Sequence, residues 1–258
     1  MKILLTNDDG IYAPGLAAME RQLRRMGDVT VVAPLTEQSG VGHSITYLTP
    51  LMGRKVYDDT GGQRGWAVEG SPADCVKLAV SELCPQRPEL VVSGINGGLN
   101  AGINVLYSGT VAAAIEGAFF GITTVAVSLE YDEHARFDAA AEQAAAIIEQ
   151  ILSQKESSPQ LYNLNIPSSA LDSSAEVHLV PVATAPWGED FEKRFDPRGR
   201  PYYWATGMAP DPPSDIETDL SAIRAGHITL TPLQFDMTHH TALEEMRTWK
   251  FGTKTAPT

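Results

Sequence analysis

MKILLTNDDGIYAPGLAAMERQLRRMGDVTVVAP, residues 1–34, sets three elements end to end. KILLT is a short apolar run of strand length, Leu16 to Met26 repeats its apolar residues at helical spacing, and DVTVVAP is β-branched and stopped by Pro34. A strand–helix–strand order implies a right-handed parallel crossover, with loops emerging at the carboxyl ends of the strands. At the first of those ends stand two adjacent carboxylates, Asp8 and Asp9. Packed dry they would repel each other, so they need a partner.

The same alternation continues outward. Residues 50–66 are glycine-rich and mixed, which suits an excursion or a flexible hairpin. Ser71-Pro72 supplies an N-cap and a first-turn proline, predicting a helix from Pro72 to about Leu83. PELVVSG is a further strand, followed by the glycine-rich loop INGGLNAGINVLYSG and an alanine-rich helix from about Thr110 to Phe120. ITTVAVSLE reads as a strand, Phe137 to Leu152 as a long helix, and QLYNLNIP as another strand. The fold class is therefore α/β, a Rossmann-like, doubly wound, mostly parallel sheet over residues 1–167. Residues 168–258 change character and form a β-rich oligomerisation segment packed on that core as one structural unit. VHLVPVA and HITLTPL are its strands, Trp187 to Pro213 an irregular arm or hairpin, TALEEMRTWK a closing helix and FGTKTAPT a frayed tail.

Composition narrows the function classes. A chain of 258 residues with a 43% hydrophobic fraction can bury a sizeable core. Its net charge of -13 leaves no basic stripe to displace counterions, which excludes a nucleic-acid polymer or an anionic membrane as partner. Any anionic substrate must then be met by a local cation or a cluster of donors. Cys75 and Cys84 form no metal or redox motif and read as reduced thiols of a cytoplasmic protein. The apolar run after Lys2 is too short for a signal peptide, and no stretch is long enough to span a bilayer.

Ligands of open parallel sheets collect outside the carboxyl ends of the strands, near a switch in strand order. Four polar segments reach that edge: Asn7–Gly10, Gln38–Gly40, Ser93–Gly98 and Ser108–Thr110. A divalent cation would reconcile Asp8 with Asp9, since carboxylates are hard oxygen ligands for magnesium, manganese or calcium. The plainer alternative is that one aspartate caps the turn and the other is solvated. Adjacent residues of a strand point opposite ways, so joint coordination requires that the strand has ended, and Gly10 makes the bend cheap. The glycines at 94, 97, 98 and 102 let backbone approach a ligand, but they match neither the dinucleotide fingerprint nor the phosphate loop. Ser108-Gly109-Thr110 opens a helix, where free N–H groups favour an anion, although a plain N-cap reads the same way. An acidic metal site facing an anion-binding helix start is what metal-assisted phosphoryl hydrolysis requires.

NDDG at 7–10 with YAPG at 12–15, AP and QSG within 33–40, SGINGGLNAG at 93–102 and YSGTVAAA at 107–114 resemble the SurE family. NIP at 165–167 and TDLSAIRAGHITLTPL at 218–233 extend the resemblance over nearly the whole chain. It implies a metal-dependent 5′/3′-nucleotidase that hydrolyses nucleoside monophosphates with metal-activated water and, in some members, cleaves short polyphosphate. It further implies that Asp8, Asp9, Ser39 and Asn96 bind one divalent cation per subunit, Mg2+ or Mn2+, with Asp8 and Asp9 also serving catalysis. Two carboxylates offset the cation's charge, and the neutral Ser39 and Asn96 complete the shell without repelling a phosphate. Ser108, Gly109 and Thr110, with Asn100 nearby, would line the phosphate pocket, and the loop around His43 and Ser44 would flank the substrate. The family's homodimers or homotetramers with an exchanged C-terminal arm agree with the irregular region from Trp187. One departure is Leu35-Thr36, where many relatives carry an aspartate and an arginine, which bears on loop structure or substrate preference rather than on the metal ligands.

Competing readings make distinct demands. A covalent aspartyl-phosphate route on Asp8 wants a second aspartate two positions on, where this chain has Gly10. A nicotinamide oxidoreductase wants a glycine fingerprint after the first strand. A non-catalytic nucleotide- or metal-sensing module on the same core would bind its ligand without turnover. His239 and His240 precede the terminal helix and suit a surface or interface, His178 and His227 lie in strand-like runs and suit structural roles, and His43 is the candidate for a substrate or general-acid contact.

Overall fold

The computed structural model describes residues 1–156, 158–172, 175–184, 190–206 and 216–251. Strand β1 (Lys2–Thr6), helix α1 (Pro14–Met26) and strand β2 (Asp28–Pro34) realise the opening crossover, with β1 and β2 parallel from Lys2 opposite Asp28 to Leu5 opposite Val31. A hairpin of β3 (Gly53–Tyr57) and β4 (Gln63–Val68) follows, then α2 (Pro72–Leu78), which passes into a π-helical turn over Ala79–Leu83. Strand β5 (Leu90–Gly97), α3 (Gly109–Phe119), β6 (Thr123–Leu129), α4 (Phe137–Gln154) and β7 (Leu161–Ile166) complete the alternation. Then come β8 (Val177–Leu179), the hairpin β9 (Phe191–Phe195) and β10 (Pro201–Ala205), α5 (Asp219–Arg224), β11 (Ile228–Leu233) and α6 (His240–Met246).

Nine strands form one sheet in the order β3-β4-β2-β1-β5-β6-β7-β11-β8. Strands β4, β2, β1, β5, β6 and β7 run parallel. Strand β11 is antiparallel to β7, β8 parallel to β11, and β3 antiparallel to β4. Successive residues serve opposite faces, as the pleat requires. Ile3 and Leu5 of β1, Val31 and Ala33 of β2, and Leu90 and Val92 of β5 pack with Leu16 and Met19 of α1 and Ala144 and Ile148 of α4. Leu4, Val32 and Val91 pack the other way, against Cys75 and Val76 of α2 and Ala113 of α3. Both faces of the central strands are thus covered, which is why they read as unbroken apolar runs.

This wrapping places the site. The chain moves from β1 outward to β2 and β4, then returns across β1 to start β5 on its other side, so the strand order reverses between β1 and β5. Neighbouring crossovers leave toward opposite faces there, and a crevice opens between them. The segment over 50–66, expected as an excursion, contributes β4 to the sheet through Val31 opposite Gly65 to Pro34 opposite Val68. The C-terminal strands β11 and β8 extend the same sheet. Among the described residues no helix is long and apolar enough to cross a membrane.

Candidate metal and phosphate site

Asp8 and Asp9 follow β1 directly, where the chain leaves the sheet. The bend is built by Asn7, whose side-chain amide donates to the Gly10 carbonyl at 3.1 Å and accepts the Gly10 N–H at 3.2 Å. Gly10 itself has φ +103, a conformation that side chains disfavour. The two aspartates part at this bend. Asp8, 5% exposed, turns to the α3 side, where its Oδ1 accepts from the Thr110 hydroxyl at 2.5 Å. Asp9 stays half-buried and turns to β5, its Oδ2 accepting the Gly97 N–H at 3.3 Å. A Cβ on Gly109 would stand 2.9 Å from the Asp8 Cβ, so the first turn of α3 can close on Asp8 only with glycine there.

Two further segments join them. The Gln38 N–H donates to the Asp8 carbonyl at 2.8 Å, tying the loop that carries Ser39 to the end of β1. Gly97 brings Asn96, whose Nδ2 donates to the Gly98 carbonyl at 2.6 Å and leaves Oδ1 as the free end of the amide. Strand β5 reaches this far because its register shifts between Ser93 and Asn96. Gly94, at φ +139, allows the shift, since a Cβ there would lie 2.3 Å from the Val127 carbonyl oxygen. The loops that carry Ser39 and Asn96 are thus tied to the aspartate pair through the adjacent Gln38 and Gly97 amides.

The electrostatics ask for a cation. Burial, partly offset by the Thr110 hydrogen bond, raises the Asp8 carboxyl above its ordinary range. Asp9 is pushed up to about 6, first by burial and then by the charge of Asp8. Neither has an ion-pair partner among the described residues, and no group of three or more His, Cys, Asp and Glu side chains there could hold a metal. The donor set that fits is a pair of carboxylates completed by the Ser39 hydroxyl and the Asn96 carbonyl, all hard oxygens suited to magnesium or manganese.

Opposite the carboxylates, α3 begins at Ser108, whose Oγ accepts the Val111 N–H as an N-cap. The Gly109 amide opens the helix beside Asp8, where the dipole favours an anion, and the Thr110 amide, expected for a phosphate, is directed at the Asp8 carboxylate instead.

A family model described as Survival protein SurE matches residues 3–189. The chain belongs to the SurE family. It is 59% identical over 250 residues to a protein named 5′-nucleotidase SurE from Rhodopirellula baltica, covering 96% of this chain and 98% of the relative. A protein of the same name from Heliobacterium modesticaldum is 42% identical, with 98% and 93% covered. The crystal structure of the SurE protein from Aquifex aeolicus superposes with a TM-score of 0.83 at 34% identity, covering 96% and 98% of the two chains.

Within this SurE fold the other expected residues take unequal places. Asn100 is buried behind the site rather than open to it. Its N–H donates to Asn165 Oδ1 at 2.8 Å, its carbonyl accepts from Asn163 and Asn165, and its own Nδ2 donates to Ser128 Oγ at 2.8 Å. His43 is exposed, its Nε2 2.8 Å from Glu116 Oε2 and its ring stacked on Phe119. With Ser108 and Phe119 it lines a cavity of about 320 Å3. Ser44 is exposed and accepts the Ser71 hydroxyl through its carbonyl. His240 pairs with Asp236 and His239 caps α6, while His178 and His227 stack at 3.9 Å on the far edge of the sheet.

Two residues escaped the sequence reading. Glu37 binds the Ser39 hydroxyl at 2.5 Å, and its charge raises both aspartates. In an exposed loop a lone glutamate carries no signal that separates it from a solvated one. The second is Asp219, fully buried in the C-terminal segment, whose Oδ2 accepts the Gly102 N–H at 2.8 Å. The motif at 218–233 marked that region but assigned this carboxylate no part.

Proposed function

We propose that the chain is a 5′-nucleotidase, a metal-dependent phosphomonoesterase that converts nucleoside monophosphates to nucleoside and phosphate. The carrying observation is the buried Asp8 carboxylate at the switch point, bonded to Thr110 in the first turn of α3, which sets a cation seat directly against an anion seat. The names of the relatives from Rhodopirellula baltica and Heliobacterium modesticaldum support the substrate class. Activity toward 3′-monophosphates and short polyphosphate extends the same proposal.

Asp8, Asp9, Ser39 and Asn96 would hold one divalent cation, Mg2+ or Mn2+, which when bound polarises the phosphoryl group and lowers the pKa of water. The remaining work falls to the chain. The Gly109 amide and the Ser108 hydroxyl hold the non-bridging phosphate oxygens, so donors meet charge where it develops, while the amide and hydroxyl of Thr110 are directed at Asp8. Asp9 is less buried than Asp8, which makes it the better placed of the two to take a proton from the attacking water. Thr110 fixes Asp8 in one rotamer, and His43 with Ser44 flanks the leaving nucleoside. Residues 1–167 supply this machinery. Residues 168–258 supply the oligomer contacts of a cytoplasmic homodimer or homotetramer with exchanged arms, a reading supported by the β9–β10 hairpin, exposed along its whole length.

The test is phosphate release from a panel of nucleoside monophosphates with Mg2+, Mn2+ or EDTA. Release is expected with metal and not with EDTA. Flat release for every nucleotide and for p-nitrophenyl phosphate, whatever the metal, refutes the enzyme.

A further inference from the structure

The arc from Asn96 to Thr110 carries a metal-facing amide at one end and the anion seat at the other. Its geometry sets the spacing between them, yet its middle is loop and a short 3-10 turn over Gly102–Leu106. Loops hold a shape only when their backbone groups find partners. This one is fastened from two sides. From the core, Asn163 and Asn165 of β7 clamp the Asn100 backbone, and the Leu129 carbonyl takes the Gly98 N–H at 2.8 Å.

From the C-terminal segment, the fastener is Asp219. Its side chain is 0% exposed and has no ion-pair partner among the described residues. A buried carboxylate is costly unless hydrogen bonds satisfy it. Here three backbone N–H groups do so, each at 2.8 Å: Gly102, 117 positions away, to Oδ2, and Ala183 and Leu220 to Oδ1. The neighbouring Leu220 closes the apolar half of the clamp. Gly102 has φ +59, and a Cβ on it would lie 2.9 Å from Leu220 Cδ1. An apolar residue at 219 would let α5 pack without this cost, but it could not hold Gly102.

We propose that Asp219 is a positioning residue for the site: by pinning the Gly102 turn it fixes the distance between the Asn96 end and the Ser108–Thr110 end of the arc. The C-terminal segment thereby completes a site whose ligands all lie in the core. This rests on the phosphomonoesterase reading for its kinetic consequence, but not for its structural one.

Asp219→Asn keeps the shape but offers one oxygen in place of two, and because Oδ1 serves both Ala183 and Leu220, the amide keeps its oxygen there and turns its NH2 group on the Gly102 N–H. Thr218→Ala removes the N-cap of the same helix and leaves the clamp intact. Full-length protein carrying each change is compared with the parent by melting, by Mn2+-supported phosphate release and by hydrogen exchange. Both variants lose thermal stability. Only Asp219→Asn is expected to lower kcat by about tenfold or more, to weaken inhibition by orthophosphate, and to speed exchange over residues 98–108. Its Mn2+ requirement stays within about threefold of the parent's, because Asp8 and Asp9 stand directly after β1, outside the arc.

Equal kcat and equal exchange in Asp219→Asn and Thr218→Ala overturn the proposal. Should Asp219→Asn not fold, Leu220→Ala opens the other half of the clamp and must show the same faster exchange and lowered kcat; an unchanged Leu220→Ala overturns it too. A parent that releases no phosphate defeats the nucleotidase reading alone, since exchange still reports on the clamp.

Discussion

Asp8 and Asp9 are neighbours in sequence with different tasks in space. Asp8 is sealed against α3 by Thr110, while Asp9 keeps one oxygen on the Gly97 amide. Replacing either with asparagine removes a negative donor from the proposed four-residue metal set. Asp8→Asn and Asp9→Asn should each lower metal-supported turnover by about a hundredfold or more, read as phosphate release; near-normal turnover and Mn2+ binding in both refutes the metal assignment. Protonation makes a second prediction. Without metal, folded Asp9 holds its proton up to about pH 6, whereas an unfolded chain releases it near 3.8. Between those values the native state binds more protons, so Asp9 subtracts stability as pH rises through the window, fully so above about 6. In EDTA, Asp9→Asn should therefore melt higher than the parent at pH 7 and level with it at pH 3.5. Turnover runs oppositely, falling as pH drops through about 6, with a midpoint that moves down as Mn2+ increases, since cation and proton compete for the same oxygens. The aspartates were legible because two like charges at a strand end need a reason. Thr110 was expected as a phosphate donor and not as the partner of Asp8, because a hydroxyl's acceptor depends on packing across 102 positions. Asp219 left no trace, since a carboxylate satisfied by backbone amides makes no side-chain pattern.

At the scale of elements, the site exists because β5 overruns the sheet edge and α1 passes close beneath it. A Cβ on Gly15, in the first turn of α1, would lie 2.1 Å from the Ile95 carbonyl oxygen and 3.0 Å from the Phe137 ring. Both obstacles are fixed, one backbone and one a packed aromatic of α4. Gly15→Ala should force α1 away from β5 at a cost near the upper end for overpacking, about 3 kcal/mol, and shift Asn96 with it. Denaturant unfolding should show a lower midpoint with unchanged slope, and an unchanged midpoint would mean the contact is softer than it stands. Strand–helix alternation was readable from apolar periodicity because the central strands are covered on both faces. Element ends were less so. The helix expected from Pro72 to Leu83 keeps α-helical bonding only to Leu78 and then widens into a π turn. The stretch over 50–66 hid β4, because Gly65 lies where a Cβ would stand 2.3 Å from the Val31 carbonyl oxygen. Glycine there signals strand contact, although by composition it reads as flexibility.

Across the whole molecule, apolar surface is distributed unevenly. The sheet buries its residues thoroughly, yet among the described residues the β9–β10 hairpin pairs only with itself and is exposed at every position. An isolated two-stranded hairpin is marginal in water. Its register sets Phe191, Phe195 and Tyr203 on one face, with Lys193 Nζ 5.2 Å and 5.9 Å from the Phe195 and Tyr203 rings. The other face carries Glu192, Arg194, Tyr202 and Trp204. Helix α6 likewise buries none of its residues. The arm and closing helix expected beyond Trp187 are thus present as elements, with residues 187–189, 207–213 and 252–258 lying outside the described ones. A second copy of the chain fits this pattern better than solvent does, because an aromatic hairpin face gains most from burial against a like surface. Light scattering after size exclusion should find the parent as a dimer or tetramer. Phe191→Asp with Tyr203→Asp puts two charges into that face and should lower the association state by one step. The fold should survive, since both residues are exposed and belong to the separate two-stranded sheet, so a melting midpoint within about 2 °C of the parent's monomeric limit is expected. A parent that runs as a monomer at every concentration, or a double variant that assembles as the parent does, removes the hairpin from any role in assembly.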